Sequence, residues 1–286
     1  MLGSTVTRYF SQQKIKVAEA NRLGNAVIPS NKAIKFDCEH DNTQELLGSG
    51  AYEYVLNCTG VIKQVMNGTL EDSIRAISVN SNFPFLLSQA ALRENVKVIS
   101  IATDCVFSGI RGLYSEVDIH DPIDIYGKSK SLGEVSSEAD MTLRCSIIGK
   151  ETSTKRSLLE WVINQPSKAS IDGFSNHNWN GLTTLHFAKI VHGIINENFH
   201  NPSLSHVVPS DIVSKDLLVR KIATTFRRSD INVRSLKAST DVDRSLMTVN
   251  PASNSELWKI AGYNRPPTID NMLVEYVNWI EGNRND

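Results

Sequence analysis

The sequence predicts an α/β protein with a doubly wound parallel sheet, followed by a smaller mixed α/β region. Short apolar runs alternate with amphipathic stretches, which is the pattern of parallel strands joined by crossover helices. Polar residues follow several of these runs, as expected where the carboxyl ends of parallel strands meet. Beyond Gly149 the regular alternation gives way to mixed helix and loop. Together these observations favour a Rossmann-type fold.

The first half of the chain supplies the elements of the sheet. The pattern predicts helices at 4–13, 43–47, 73–95 and from Tyr126 onward, and strands at 15–19, 33–36, 54–58, 96–102 and 141–148. A loop rich in Gly and Asp over 108–122 leads to the helix that contains Tyr126. We therefore place one domain over 1–149.

The second half is expected to cap the first. Amphipathic stretches predict helices at 157–164, 184–195, 214–226 and 269–281, and an apolar run predicts a strand at 205–208. Residues 173–181 are predicted to form a polar loop that holds Phe174 and Trp179. We expect a substrate-binding region over 150–286, with 182–208 returning to the first domain.

Composition excludes several classes of partner. The 286 residues include 30 basic and 31 acidic side chains, for a formal net charge of −1. This balance creates no field that would draw the protein to nucleic acid or an anionic membrane, and no apolar run is long enough to span a bilayer. The segment from Met1 to Thr5 lacks the basic and apolar stretches of a secretory signal, so we expect a cytoplasmic protein.

Neither the cysteines nor the histidines are spaced as a metal site. His186 and His192 are six residues apart and would face different sides of a helix. The four cysteines stand far apart, without the short spacing of metal or redox pairs: Cys38, Cys58, Cys105 and Cys145. We expect them to be small buried residues, and no metal is indicated.

Tyr126 and Lys130 are candidate groups for acid–base chemistry. They are four residues apart and share one face of a helix. A phenol has a reference pKa of about 10, and a nearby ammonium makes its ionised form easier to reach. Such a pair also occurs by chance on surface helices. The pair is significant here because polar segments follow or finish three predicted strands, at 57–60, 103–104 and 144–146. One crevice at the carboxyl ends of the strands can hold all of these residues.

Several motifs, in order and over most of the chain, resemble those of a known family. They are NCTGVIKQ at 57–64, VN at 79–80, IATDCVFSG at 101–109, YGKSK at 126–130 followed by GE at 133–134, and LRCSIIG at 143–149. Together they resemble the extended short-chain dehydrogenase/reductases and, within them, the dTDP-4-dehydrorhamnose reductase family. The resemblance implies reduction of a 4-keto-6-deoxy nucleotide sugar with NADPH, and it leaves NADH and a homodimer open.

By this resemblance, Thr103, Tyr126 and Lys130 are the catalytic residues. Tyr126 would donate a proton to the developing oxyanion, and Thr103 would hydrogen-bond the same oxygen. Lys130 would lower the pKa of Tyr126 and bond the nicotinamide ribose.

The resemblance also implies a set of cofactor-binding residues. They are Gly3, Arg22, Asp37, Asn57, Cys58, Thr59, Gly60 and Asn80, together with Tyr126 and Lys130. Arg22 follows a predicted strand where an NAD enzyme would carry an acid for the ribose; an Arg there suits the 2′-phosphate of NADP, although a solvated loop cation is an equally good interpretation. Asn80 would support the Lys130 end of the site, or else face water from its helix.

A third set of residues would bind the substrate. It comprises Thr103, Asp104, Arg144, Lys155, Arg156 and Trp161. The cations in this set would hold a pyrophosphate, although such a run is also typical of a solvated surface. Trp161 would stack on a sugar or base, with core packing as the favoured alternative. Asp243-Arg244-Ser245 is similar to a late substrate-side motif of the family.

The chain departs from the family pattern at its beginning. Gly3 stands where the last glycine of a Gly-x-x-Gly-x-x-Gly turn would be, so the first strand and two glycines are missing. That strand would lie between the strands that begin at Ile15 and Tyr54. We expect Met1 to be an internal methionine of a product that starts about a dozen residues earlier. Without the strand, we expect a groove in the sheet and weak NADPH binding.

Alternative functions remain open within and beyond enzymes. A dehydratase would carry an Asp-Glu pair after the catalytic Thr, whereas Asp104 is followed by Cys105, and an epimerase would consume no NADPH. Cys105 and Ile148 replace aromatic residues often found at the matching places, so the sugar and base stay open. A non-catalytic subunit, like the regulatory subunit of methionine adenosyltransferase, would fit the missing turn but has no need of Thr103, Tyr126 and Lys130 together.

Overall fold

A computed structural model describes residues 1–151 and 157–283 and confirms the predicted fold class. The elements of the first half are α1 (Leu2–Gln12), β1 (Ala18–Asn21), β2 (Lys32–Lys35), α2 (Thr43–Gly48), β3 (Tyr54–Asn57), α3 (Leu70–Ile77), α4 (Phe83–Glu94), β4 (Lys97–Ala102), α5 (Ile125–Leu132), β5 (Asp140–Arg144) and β6 (Ile147–Ile148). Those of the second half are α6 (Leu158–Ile163), β7 (Ser170–Phe174), β8 (His177–Trp179), β9 (Leu182–Thr183), α7 (Thr184–Asn196), β10 (Leu204–His206), β11 (Val213–Ser214), α8 (Lys215–Thr225), β12 (Asn232–Leu236), β13 (Val242–Asp243), α9 (Pro251–Ile260) and α10 (Ile269–Gly282).

Strands β1 to β5 form two separate parallel sheets. β10, β5, β4 and β3 lie side by side in that order, with Leu56 opposite Ile99 and Ile101 opposite Leu143. β1 pairs with β2 alone, also in parallel. Within the described residues no backbone ladder joins β1 to β3, and this is the position at which the sequence predicts a missing strand. β10, from the second half, completes the edge of the larger sheet.

Helices cover both faces of the four-stranded sheet, as a doubly wound fold requires. Val98 and Ile99 are neighbours on β4 and point to opposite faces because side chains alternate along a strand. Val98 packs with Leu47 of α2 and Leu87 of α4, whereas Ile99 belongs to the main core, to which α1 and α7 contribute. Each such fully buried aliphatic side chain stabilises the fold by about 1.5–3 kcal/mol relative to exposure.

The predicted helix over 73–95 is interrupted near its middle. Thr69 and Asp72 form a capping box that begins α3, and Asn95 ends α4 in the left-handed conformation, at φ 54°. Between α3 and α4, the segment Ser78–Asn82 forms a wider π-helical turn. The prediction of one regular helix is wrong at this turn, which holds Asn80 and is of a kind often found at functional sites.

Two further predictions about strands are wrong. Residues 173–181 are not a polar loop, because most of them lie in β7 and β8, and β7 pairs along its length with β12. The expected strand over 141–148 is two strands, since β6 leaves the main sheet and pairs with β9. Ser170 lies opposite Asn232, and a partner so distant along the chain leaves no local signal. No helix within 1–151 or 157–283 is both long and apolar enough to cross a membrane.

Candidate active site

Three strand ends and one helix meet at the carboxyl edge of the four-stranded sheet. β3 ends at Asn57, β4 ends just before Thr103, and β5 ends at Arg144. Since these strands are parallel, their ends lie at one edge. α5, which holds Tyr126 and Lys130, packs against the turn that follows β4. The structure therefore brings the three predicted catalytic residues to the same edge.

Thr103 begins a short 3-10 turn after β4. Its Oγ1 accepts a hydrogen bond from the amide of Cys105 at 3.2 Å and donates one to Oδ1 of Asp104 at 3.1 Å. The side chain is buried, and its hydroxyl lies close enough to Tyr126 to lower the pKa of that phenol. These contacts fix the position of the Thr103 hydroxyl beside the phenol.

Two glycines allow α5 to approach its neighbours closely. A Cβ on Gly127 would overlap the carbonyl oxygen of Cys105, and a Cβ on Gly133 would overlap that of Asn80. The Asp124 carboxylate caps α5 by accepting a hydrogen bond from the Gly127 amide at 2.9 Å, and it pairs with Lys63 at 2.8 Å. α5 is therefore held between the turn after β4 and the π-helical turn.

Tyr126 keeps its proton at neutral pH. Burial raises the pKa of Tyr126 well above its usual range, and the nearby Cys105 and Asp104 raise it further, while Thr103 acts in the opposite direction. A phenol that retains its proton is able to serve as a proton donor. The protonation state is therefore the one that the predicted role requires.

Lys130, on α5, contacts the backbone of β4. Its Nζ donates a hydrogen bond to the carbonyl oxygen of Ile101 at 3.1 Å. Burial lowers the pKa of Lys130, and the nearby Glu134 partly offsets this. The pKa of Tyr126 is raised overall, and a lowering contribution from Lys130 stays a prediction. Desolvation of the phenol is the largest effect on the pKa of Tyr126.

Asn80 ties the segment after β3 to α5. Its Oδ1 accepts a hydrogen bond from the amide of Val61 at 2.8 Å, and its Nδ2 donates to the carbonyl oxygen of Val61 at 2.9 Å and to Oγ of Ser129 at 3.0 Å. The side chain is only 1% exposed, so the alternative of a residue that faces water is wrong. Because Ser129 precedes Lys130, these bonds hold the Lys130 end of the site.

The turn after β3 lies beside the amino end of α1. Oδ1 of Asn57 accepts a hydrogen bond from the amide of Thr59 at 3.0 Å, which closes a turn through Cys58. Gly60 lies against the Asn80 side chain, and a Cβ on Gly3 would be 3.5 Å from Cβ of Cys58. α1 has no side-chain cap, so the amides of its first turn are of the kind that bind phosphate. This arrangement suits the phosphates of a dinucleotide.

Arg22 and Asp37 lie close together just beyond the carboxyl ends of β1 and β2. Both act electrostatically on Cys38. Burial and the charge of Asp37 raise the pKa of Cys38 to about 11, and Arg22 partly opposes this rise. Glu19 on β1 is engaged elsewhere, since its carboxylate accepts hydrogen bonds from the amides of Val27 at 2.7 Å and Ile28 at 3.1 Å. This edge therefore presents an arginine, while the carboxylate of β1 is already bound.

Arg144 is buried, and four of its five N–H groups donate to protein acceptors. Its side chain is 1% exposed, and its Nε donates to Oε1 of Glu134 at 3.1 Å. Its Nη1 and Nη2 donate to Nε2 of His206 and of His120, each at 2.7 Å. The prediction that Arg144 binds a pyrophosphate is therefore wrong, because the end of β5 is buried under groups that already accept its hydrogen bonds.

The remaining predicted substrate residues have different outcomes. Asp104 lies at the site beside Thr103, whereas Lys155 and Arg156 lie outside the described residues. Trp161 is 40% exposed on α6, where the buried positions are Leu159, Glu160 and Val162. The favoured alternative of core packing for Trp161 is therefore wrong, and its stacking on a ligand stays a prediction.

The sequence did not predict that two particular cations lie together at the site. Lys215 is the first residue of α8, and Arg244 follows β13; both act electrostatically on Cys105. The ammonium of Lys215 lies 5.5 Å from the centre of the Trp179 ring. Arg244 belongs to the quoted Asp-Arg-Ser segment, but no local signal marks Lys215. Its place depends on how α8 packs across from the end of β4.

The cysteines are free thiols of low reactivity. Burial raises the pKa of Cys58 and that of Cys105 to about 12. Cys145 is fully buried, whereas the other three are half-buried, so the expectation of four buried cysteines holds only for Cys145. In the described part of the chain, no group of three or more His, Cys, Asp or Glu side chains is arranged to hold a metal ion.

Several known proteins are similar to this chain. A family model described as the RmlD substrate binding domain matches residues 1–149. The chain is 45% identical over 60 residues to the dTDP-4-dehydrorhamnose reductase of Aggregatibacter actinomycetemcomitans, a match that spans 21% of this chain and 20% of that protein. It is 27% identical over 242 residues to the probable low-salt glycan biosynthesis reductase Agl14 of Haloferax volcanii, which is 75% of each chain.

A solved structure shows the same fold over nearly the whole chain. The dTDP-4-dehydrorhamnose reductase of Bacillus anthracis, in complex with NADP, superposes with a TM-score of 0.69 at 17% identity, over 92% of this chain and 98% of that chain. At this level of identity, the likeness shows the fold alone.

Proposed function

The chain belongs to the family of the RmlD substrate binding domain, and from this premise we propose that it is an NADPH-dependent oxidoreductase that reduces the 4-keto group of a 4-keto-6-deoxy nucleotide sugar. The observation that carries the proposal is the protonated phenol of Tyr126, which lies beside Thr103 at the carboxyl edge of a parallel sheet. Lys130 lies on the same helix, with its ammonium on the carbonyl of Ile101.

The cofactor would lie along the edge from the turn after β3 to α5. NADPH supplies the hydride. The amides at the amino end of α1 and the turn through Cys58 would hold its phosphates, and Arg22 would hold a 2′-phosphate. Within β1 the carboxylate of Glu19 is occupied by backbone amides, which favours NADPH over NADH.

Tyr126 and Thr103 would act on the oxygen of the ketone. When the carbonyl carbon gains a hydride, negative charge develops on that oxygen, and two positioned hydroxyls stabilise the charge more than they stabilise the starting carbonyl. Tyr126 then transfers its phenolic proton to the oxygen and is left as a phenolate, which the neighbouring Lys130 stabilises. The bond balance is that of a simple reduction, in which a ketone, a hydride and a proton give an alcohol.

An NADPH-oxidation screen over 4-keto-6-deoxy nucleotide sugars tests this function. We expect a steady loss of nicotinamide absorbance with at least one such sugar, faster with NADPH than with NADH. An epimerase or a dehydratase would convert the sugar nucleotide without net loss of NADPH. A protein that binds NADPH and sugar nucleotides but reduces none of them would be a non-catalytic subunit, and the proposal would be abandoned.

A further inference from the structure

The chain continues past α5 in a helical turn that carries Glu134. The amide of Gly133 donates to the carbonyl oxygen of Lys130 at 3.2 Å, and the amide of Glu134 donates to that of Ser131 at 3.4 Å. Residues four apart in such a turn share one face. Glu134 therefore lies on the face of α5 that also carries Lys130 and Tyr126.

The side chains of Lys130 and Glu134 reach the ends of two neighbouring strands. Nζ of Lys130 donates to the carbonyl oxygen of Ile101 on β4 at 3.1 Å. The Glu134 carboxylate accepts hydrogen bonds from Nε and Nη2 of Arg144, the last residue of β5. Ile101 lies opposite Leu143, the residue before Arg144, and neighbouring strands are about 4.8 Å apart. The ammonium and the carboxylate are therefore held at the same end of the sheet.

The ammonium of Lys130 has little direct compensation for its charge. Within 1–151 and 157–283, its only hydrogen-bond partner is the carbonyl oxygen of Ile101, and it forms no ion pair. A charged group removed from water is unfavourable unless opposite charge compensates it. Burial accordingly lowers the pKa of Lys130, and Glu134 opposes this lowering.

Other ionisable groups surround α5 but do not supply the missing negative charge. They are Asp104 and Cys105 on the turn after β4, Glu71, Asp72 and Arg75 on α3, His120 beside Ser131, and Asp124, Tyr126 and Lys128 at the start of α5. At neutral pH His120 and Cys105 are uncharged, since burial lowers the pKa of His120 and raises that of Cys105. Within the described residues, only Glu134 acts electrostatically on the pKa of Lys130.

Glu134 also compensates the charge of Arg144. The guanidinium of Arg144 is 1% exposed and keeps its proton at all working pH values, so it is a permanent positive charge at this end of the sheet. Its remaining hydrogen bonds go to the rings of His120 and His206, each at 2.7 Å, and burial lowers the pKa of both rings. Without the carboxylate, the two cations would face each other with no negative charge between them.

We propose that Glu134 is a positioning residue for the reaction, which keeps the ammonium of Lys130 charged by compensating both Lys130 and Arg144. The inference rests on the proposed function and adds to it a residue that acts through Lys130. A charged Lys130 stabilises the phenolate that Tyr126 becomes after proton transfer. Loss of the Glu134 carboxylate would therefore restrict the reaction to lower pH.

NMR titration of the full chain without cofactor measures the pKa of Lys130 directly. The protein is labelled with lysine that carries ¹³C at Cε, and the Lys130 signal is identified by its loss in Lys130→Met. In Glu134→Gln the pKa of Lys130 should fall by about 1 unit or more, the usual effect of one nearby charge. Glu138→Gln removes an exposed carboxylate between α5 and β5, and it should leave this pKa unchanged.

Arg144→Met separates the charge effect from a loosening of the structure. This variant breaks the same ion pair but keeps the carboxylate, which is ionised at the alkaline pH where a lysine titrates. We expect the pKa of Lys130 in Arg144→Met to lie at or above the wild-type value. A fall of equal size in Glu134→Gln and Arg144→Met would overturn the proposal, because loss of the pair would then act through the fold. Thermal unfolding of each variant above the titration temperature confirms that the folded protein is measured.

The pH dependence of the reaction distinguishes this inference from the proposed function. In Glu134→Gln the alkaline limb of kcat/KM should move to lower pH together with the pKa of Lys130. If this pKa falls but wild type reduces no keto-sugar, the charge compensation stands and the reductase function fails. If wild type is active and Glu134→Gln shows the wild-type pKa of Lys130 or the wild-type pH profile, the function stands and the positioning role is overturned.

Discussion

Arg144 and Glu134 form a buried ion pair beneath the candidate site, with Nε of Arg144 3.1 Å from Oε1 of Glu134. Arg144 ends β5, and Glu134 comes two residues after α5, so the pair joins α5 to the sheet. The guanidinium also lies 5.2 Å from the centre of the Phe107 ring. One buried cation therefore fixes the carboxyl end of α5 relative to the strand ends.

Loss of this ion pair should destabilise the protein. Arg144→Met leaves the Glu134 carboxylate buried without its partner, and the free energy of unfolding should fall by about 3–5 kcal/mol. Urea unfolding measures the change. The control, Arg227→Met, removes an arginine that is 78% exposed and pairs with Glu281, so its effect should be less than about 1 kcal/mol. Equal losses in the two variants would contradict a structural role for the buried pair.

Loss of the Tyr126 hydroxyl should abolish the chemistry and spare the cofactor. Tyr126→Phe removes the proton donor, and turnover should fall about 100- to 10,000-fold, the usual contribution of general acid catalysis. NADPH affinity, measured by fluorescence titration, should stay close to that of wild type. In the control, Tyr54→Phe, the lost hydroxyl donates to Asn198 at 2.9 Å on the surface, and turnover should not change. Unchanged turnover in Tyr126→Phe would remove this residue from the mechanism.

Loss of the Asn80 amide should loosen the cofactor side of the site. Asn80→Ala breaks two hydrogen bonds to Val61 and one to Ser129, and it leaves buried backbone groups without partners. We expect the free energy of unfolding to fall by about 2–4 kcal/mol and NADPH binding to weaken. Asn82 is exposed on the same π-helical turn, so Asn82→Ala is the matched control and should resemble wild type. Normal NADPH binding in Asn80→Ala would show that the hydrogen bonds of Asn80 do not shape the cofactor site.

A methyl group at Gly127 should push α5 away from the turn after β4. The new Cβ would overlap the carbonyl oxygen of Cys105 and come within 2.8 Å of Cβ of Pro122. Gly127→Ala should cost about 1–3 kcal/mol of stability and should lower turnover, because Tyr126 is the preceding residue. At Gly282 a Cβ meets nothing within 4 Å, so Gly282→Ala should leave both quantities near wild type. Full activity in Gly127→Ala would mean that α5 does not need this close approach.

Acid should destabilise the protein partly through His206. Burial lowers the pKa of His206 to about 4, Arg144 lowers it as well, and Glu116 opposes them. The unfolded chain, with a histidine pKa of about 6.5, therefore takes up this proton first as the pH falls. The contribution of His206 to the free energy of unfolding is complete above about pH 6.5 and is lost towards pH 4. At about 1.4 kcal/mol per pKa unit, the total loss is roughly 3 kcal/mol.

Unfolding in urea at about pH 7 and about pH 5 tests this linkage. Between these conditions His206→Gln should lose less stability than wild type, because the titrating ring is gone. His40→Gln, at an exposed histidine, should lose as much as wild type. Equal losses in His206→Gln and wild type would show that His206 is not a source of the acid sensitivity.

The local pattern of apolar and turn residues was sufficient to predict most helices and the strands of the main sheet. α2, β3 and β4 lie within about a residue or two of their predicted bounds because each is marked by its own periodicity and by turn residues at its ends. β7 and β8 were missed because their partners, β12 and β11, come from distant segments. The burial of Arg144 could not be predicted for the same reason, because no neighbour in sequence reveals that His206 lies against it.

The sequence by itself determined the α/β class, the order of most elements and the presence of Thr103, Tyr126 and Lys130 at strand and helix ends, because apolar periodicity and short motifs are local properties of a chain. The tertiary structure decided how each polar group is used. It buried Arg144 against Glu134, raised the pKa of Tyr126, and brought Lys215 and Arg244 to face the turn after β4. Burial and charge pairing depend on residues that are far apart in sequence and meet only when the chain is folded.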